Sequence, residues 1–175
     1  ANLNGADLSR SNAKWALFTG ASLKGADLHD ADLFHAIFDE ADLSGARLVG
    51  AYLFGANLID ARAAKADFTG AYLKDVLMEG IDLSGGSIRN CYTFRGVFVG
   101  AKLVGTDLSG ADLTGASMEQ ADFTNARLKG ARLEGRDDVF GFGEASHEHD
   151  GDVAGREIGL EPACHFETVH AGHHG

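Results

Sequence analysis

Ala41-Asp42-Leu43-Ser44-Gly45 and, seventy residues on, Ala111-Asp112-Leu113-Thr114-Gly115 are almost the same five residues. The unit they define holds its register from Ala1 to Gly135, which makes 27 consecutive repeats. The third position is large and apolar: Leu3, Leu8, Phe18, Leu23, Leu28, Leu33, Phe38, and so on to Leu133. The first position is small, from Ala1, Ala6 and Ala16 through Ala131. The remaining three are mostly Asp, Asn, Arg, Lys, Ser, Thr and Gly. A period this short and this long-lived decides the architecture before any other feature.

Five matches neither the 3.6-residue period of a helix nor the two-residue period of a strand. A helix would smear the leucines around its circumference, and a plain strand would turn every second one outward. A backbone that bends once per unit keeps all of them inside. Four bends close a square coil, with a methyl-sized residue fitting beside each large one. Glycine at the fifth position suits a turn that needs positive φ.

These residues resemble the pentapeptide-repeat family, whose pattern is A(D/N)LXX. The resemblance covers residues 1–135 and implies an all-β fold, a right-handed quadrilateral β-helix with four faces per coil. The 27 units then form about seven coils, and coils stacked at the strand spacing give a rod roughly 32 Å tall. The one proline, Pro162, lies outside the repeats, as a hydrogen-bonded ladder demands. Residues 136–175 break the register and form a separate Gly-, His- and acid-rich segment.

If four units make a coil, residues twenty apart lie on top of one another. One interior column becomes Phe18, Phe38, Leu58, Met78, Phe98 and Met118. Ala13, Ala63 and Thr93 stand where a large residue is expected. The stretch from Val76 to Gly100 replaces the small residue with Val76, Ile81, Gly86, Cys91 and Gly96, and locally distorted coils are expected there. Cys91 is expected to point inward as a small hydrophobe. With Cys164 the only other cysteine, a disulfide framework is excluded and a single pairing is left open.

The same rule applied outside collects Tyr52, Tyr72 and Tyr92 at the second position of one face, with Phe34, Phe54 and Phe94 at its fourth and Trp15 beside them. The adjoining face carries Leu17, Ile37, Leu77 and Val97, with Ile59 and Val99 nearby. An exposed apolar strip of this extent marks a contact surface. A protein partner, a second copy of the chain (a dimer), or the segment 136–175 folded back are the occupants it admits.

Net charge is −11. Residues 1–135 hold 13 Lys+Arg against 17 Asp+Glu, and residues 136–175 hold 2 against 9. No basic stripe for nucleic acid is present. No apolar run approaches the ~20 residues of a membrane span. The chain opens inside a repeat, which points to a processed protein or a piece of a longer one. A cytoplasmic location is favoured, and a lumenal or periplasmic one fits if a targeting segment was removed.

His147, His149, His165, His170, His173 and His174 crowd the last segment in no spacing that matches a metal site, so no metal ligand is assigned. Asp137-Asp138 with Val139, Phe140 and Phe142 form a candidate cap for the rod. A filled rod has no concave pocket for a substrate or cofactor, and no phosphate-binding loop motif occurs, so no enzyme is expected. The expected function is a structural or protein-interaction scaffold. The alternative comes from the resemblance alone: some family members mimic duplex DNA and protect DNA gyrase. That role implies strongly acidic faces and a C-terminal dimerisation helix, and this chain departs from both. A supercoiling assay with purified gyrase separates the two.

Overall fold

The coil length is written in the backbone pairing. In the computed structural model, which describes residues 1–133, parallel bridges join Asn2 to Ser22, Asp7 to Asp27, Asn12 to Asp32 and Leu17 to Ile37. Every later bridge, through Asp112 to Arg132, keeps the same twenty-residue offset. Twenty residues are four five-residue steps, so the chain climbs as a β-helix of stacked coils. We number the faces in chain order. Face 1 starts at residues 1–5, face 2 at 6–10, face 3 at 11–15 and face 4 at 16–20, and each recurs every twenty residues.

Each step is built from a turn. The N–H of a first-position residue donates to the carbonyl of the third-position residue before it, as in Ala6 to Leu3 at 3.0 Å and Ala46 to Leu43 at 2.9 Å. The fifth position, third in that turn, has positive φ in every unit from Gly5 to Gly130, the requirement of a type II turn. Fourteen of these 26 residues are glycine and twelve are not, including Trp15 at 60° and His35 at 51°. The turn is therefore imposed by the coil rather than chosen residue by residue.

Two further N–H groups per unit bond the next coil, as Leu23 does to Asp42 O at 2.7 Å and Gly25 to Ser44 O at 2.9 Å. The second-position N–H bonds the coil below, as Asp42 does to Ala21 O at 2.8 Å. That leaves the fourth-position N–H without a backbone acceptor. The second-position side chain supplies one: Asp7 Oδ1 accepts from Ser9 N at 3.0 Å, Asp67 from Thr69 at 2.9 Å and Asp122 from Thr124 at 2.9 Å. This is the physical reason the repeat asks for Asp or Asn there.

Inside, every third-position residue from Leu23 to Phe123 is buried, together with the alanines between them. Removing each large side chain from water contributes about 1.5–3 kcal/mol. The rings of Phe18 and Phe38 stack at 4.7 Å and 13°. Cys91 is a buried free thiol. Its Sγ donates to Phe68 O at 2.8 Å, and burial pushes its pKa up to about 12.

The expected distortion between Val76 and Gly100 is corrected. The bridges Tyr72–Tyr92, Leu77–Val97 and Ser87–Asp107 run on in register. The only sign of crowding is a few longer hydrogen bonds, 3.3 Å for the N–H groups of Val76, Ile81 and Tyr92. Compensation occurs between coils. Val76 is oversized, and the residue above it is Gly96, where a Cβ would lie 3.4 Å from Val76 Cγ1 and 2.8 Å from Phe98 Cε2. Thr106 is oversized too and stands one coil above Gly86, where a Cβ would crowd Ala66 O and Leu83. The Thr106 hydroxyl donates to Leu83 O at 2.9 Å. Thr93 solves the opposite problem, its hydroxyl donating to Asp112 O at 2.6 Å.

Asp42 is the one charged residue buried in the described chain, at 6 % exposure. It accepts from the Ser44 hydroxyl and N–H and pairs with Lys24 at 3.3 Å and Arg62 at 3.2 Å. Burial is the largest single influence and opposes its charge, but the Ser44 bonds and the two cations together outweigh it and hold the pKa at about 2. The folded state thus holds the ionised form more strongly than the unfolded chain does. That stabilisation is complete above about pH 4 and is lost as pH falls toward 2, about 2–3 kcal/mol in all. Urea unfolding of wild type and Asp42→Asn at pH 6 and pH 2.5 should show a stability gap that narrows by most of this amount in acid.

The expectations for residues 136–175 — the cap formed by Val139, Phe140 and Phe142, the six histidines, Cys164, and a fold-back over the strip — lie outside the described residues.

Candidate protein-contact surface

Faces 3 and 4 depart from the repeat at the hydrogen-bonding second position with aromatic and aliphatic residues, where faces 1 and 2 depart only with Ser, Arg or Lys. The second positions of faces 3 and 4 hold Tyr52, Tyr72 and Tyr92 on one and Leu17, Ile37, Leu77 and Val97 on the other. None of these side chains can accept the N–H of the residue two places on. Among the described residues no acceptor meets the N–H groups of Phe54, Lys74, Phe94, Asp39, Glu79 or Val99. Each forfeited bond gives up about 0.5–1.5 kcal/mol.

On face 3 the rings form two ladders along the rod. Tyr52 and Tyr72 stack at 5.0 Å and 17°, and Tyr72 and Tyr92 follow at 5.2 Å and 34°. Beside them Phe34 and Phe54 stack at 5.5 Å and 9°. The ladders are cross-linked by Phe34–Tyr52 at 6.3 Å and Tyr92–Phe94 at 6.1 Å. Between Phe54 and Phe94 the rung is Lys74, whose ammonium lies 5.7 and 5.8 Å from the two ring centroids. Both separations fall within cation–π range.

Trp15 closes the lower end. It meets Phe34 edge-on at 5.4 Å and stacks flat on His35 at 4.5 Å and 7°. His35 in turn meets Phe34 edge-on at 4.4 Å. A Cβ on Gly55 would collide with the His35 ring, so glycine at 55 gives that ring its place. On face 4, Leu17, Ile37, Leu77 and Val97 share one column, which Asn57 interrupts. Asn57 keeps the consensus bond, accepting from Ile59 N at 3.0 Å.

All eleven strip residues expected from the sequence thus fall on these two adjoining faces. The half-buried members cover one another, while Trp15 and Leu17 are 63 % and 75 % exposed and Tyr52 and Tyr92 remain exposed as well. Sequence reasoning missed Lys74 and His35, although both stand twenty residues from strip members and the same rule finds them.

Faces 1 and 2 are polar and internally paired. Arg47 bonds Asp27 and Arg62 bonds Asp42, each at 3.2 Å and each across one coil. Among the described residues no group of three or more His, Cys, Asp or Glu is placed to hold a metal ion. Nor is any helix there long and apolar enough to cross a membrane.

The family model for pentapeptide repeats matches in 8 copies, over residues 1–33, 14–48, 36–75, 46–85 and 98–135. This chain belongs to the pentapeptide-repeat family. The model skips residues 86–97, the stretch where Gly86, Cys91 and Gly96 replace alanine.

Among solved structures, the pentapeptide-repeat chain is similar to the protein Rfr23 of the cyanobacterium Cyanothece 51142, with 24% identity, 52% of this chain and 60% of that one covered, and TM-score 0.49. It thus spans less than two thirds of Rfr23. HetL of Nostoc sp. strain PCC 7120, described as involved in heterocyst differentiation regulation, is 27% identical over 76% of this chain and 81% of its own, TM-score 0.39. QnrB1, a plasmid-mediated fluoroquinolone resistance protein, is 27% identical over 75% and 67%, TM-score 0.39. No curated protein sequence matches the chain.

Proposed function

We propose that the chain is a non-enzymatic scaffold, a right-handed quadrilateral β-helix over residues 1–135, that presents the strip on faces 3 and 4 to a protein partner or to a second copy of itself. The observation that carries this reading is the forfeited hydrogen bond. Asp or Asn at a second position serves the fold, yet faces 3 and 4 hold Tyr, Leu, Ile or Val at seven such positions, in register. Aromatic residues anchored in a rigid surface are the usual centres of protein–protein binding energy.

The charge pattern supports a scaffold over a DNA mimic. Within residues 1–133, faces 1 and 3 each carry net +1 and face 2 carries zero, and the five acids of face 4 are spread over six coils, about one per 6 Å of rod against one charge per about 1.7 Å of duplex. Such faces do not reproduce the continuous negative charge of a duplex.

Tyr72→Asn restores the consensus acceptor while removing the central ring. The gained hydrogen bond and the lost stacking are of similar size, so the melting temperature is expected to stay within a few degrees. Association of the full chain, followed by sedimentation and by cross-linking in its native extract, is expected to weaken by about tenfold or more. Unchanged association with an intact fold would remove the strip as the contact surface.

A further inference from the structure

Face 4 differs from the other three in charge as well as hydropathy. It bears Asp39, Glu40, Asp60, Glu79 and Glu119, and between residues 16 and 120 it has no Lys or Arg. The entire negative balance of residues 1–133 therefore lies on one face, alongside the Leu17, Ile37, Leu77 and Val97 column. On the other faces Asp27, Asp42, Asp75 and Asp112 are each paired with an arginine one coil away. On face 4 no such cation exists. Asp39 Oδ1 and Glu119 Oε2 are shielded from solvent and have no hydrogen-bond partner among the described residues. Burial, then Glu40 and Asp60, raises the pKa of Asp39, as expected of crowded and uncompensated carboxylates.

We propose that face 4 receives a basic amphipathic helix of another protein, its apolar stripe on the Ile37–Leu77–Val97 column and its lysines or arginines on Asp39, Glu79 and Glu119. This rests on reading the strip as a protein-contact surface and names the chemistry of what binds there. On face 4 charge favours this occupant over a second copy or the segment 136–175. A second copy offers no cationic face, since its faces 1 to 3 carry +1, zero and +1. Residues 136–175 carry 2 Lys+Arg against 9 Asp+Glu and are repelled.

The spacing fits a helix laid along the rod. Asp39, Glu79 and Glu119 share one column and stand two coils apart, roughly 9.6 Å at the strand spacing. Seven residues of helix rise about 10.5 Å. One basic residue every two helical turns therefore meets one carboxylate every two coils, within the reach of a flexible lysine. Ile59 and Val99 fill the intervening rungs of that column.

The test uses the full chain and a synthetic 21-residue helix-forming peptide with a leucine stripe and lysines every seven residues. Comparators are the same peptide with glutamine for lysine, and a scrambled peptide of equal composition without a stripe. Calorimetry should show the lysine peptide binding about tenfold or more tighter than either comparator. The triple variant Asp39→Asn, Glu79→Gln, Glu119→Gln should lose about tenfold, and amide shifts on binding should fall at Ile37, Leu77 and Val97. Glutamine and lysine peptides binding equally would overturn the inference while leaving the contact surface standing. Equal binding by the scrambled peptide or by the triple variant, or none by the lysine peptide, would overturn it too.

Discussion

Phe38→Ala is expected to lower the unfolding free energy by about 3–5 kcal/mol, measured by urea or guanidinium titration followed by circular dichroism. The ring is wholly buried and stacked on Phe18 at 4.7 Å, with Leu58 in the next coil of its column. A coil touches only the coils above and below, so the walls cannot collapse into the space without breaking the twenty-residue pairing that holds them. The cavity stays open, which places the loss toward the top of the range. A domain of this kind has about 5–15 kcal/mol in total, so the variant should be partly unfolded well below the wild-type transition. A loss under about 1 kcal/mol would mean that the interior is not packed as described.

Gly86→Ala should cost about 2–4 kcal/mol, although alanine is the consensus residue at that position. A Cβ at 86 would stand 2.7 Å from Ala66 O, 2.8 Å from Leu83 Cδ1 and 3.1 Å from Leu83 O. The first and last are backbone atoms held by the ladder and cannot rotate away. Overpacking of this kind costs about 1–3 kcal/mol. Crowding Leu83 O also disturbs the buried Thr106 hydroxyl, which uses that carbonyl, and a stranded hydroxyl adds about 1–3 kcal/mol. The double variant with Thr106→Ala removes that second part and should recover about 1 kcal/mol or more. A Gly86→Ala protein as stable as wild type would overturn the close packing described around Gly86.

The β-helix and its columns were legible because a single rule, twenty residues to a coil, converts register into position. Tyr52, Tyr72 and Tyr92 fell into one line on that rule alone, as did Phe18 and Phe38. What was not legible depends on contacts between unlike residues in neighbouring coils. Val76 and Gly96 read as two irregularities and turn out to be one accommodation. Lys74 was passed over because the strip was collected by apolar residue type, while its ammonium acts as a rung between the rings of Phe54 and Phe94. The meaning of Asp or Asn at the second position rests on the fourth-position N–H, a donor that the coil-to-coil ladder leaves unpaired and that the repeat pattern alone does not reveal.

The invariance of the corner has an evolutionary corollary. Since the left-handed residue recurs in every unit from Gly5 to Gly130 whatever its side chain, an insertion or deletion of one unit leaves the turn itself intact, while the interior columns across it are re-paired. Its surface would nevertheless be rewritten, because every later side chain would rotate onto the neighbouring face and the tyrosines would no longer line up. Only gains or losses of twenty residues preserve both the shape and its exterior chemistry. Recognition by this surface is therefore tied to whole coils, even though the turn is tied only to single units.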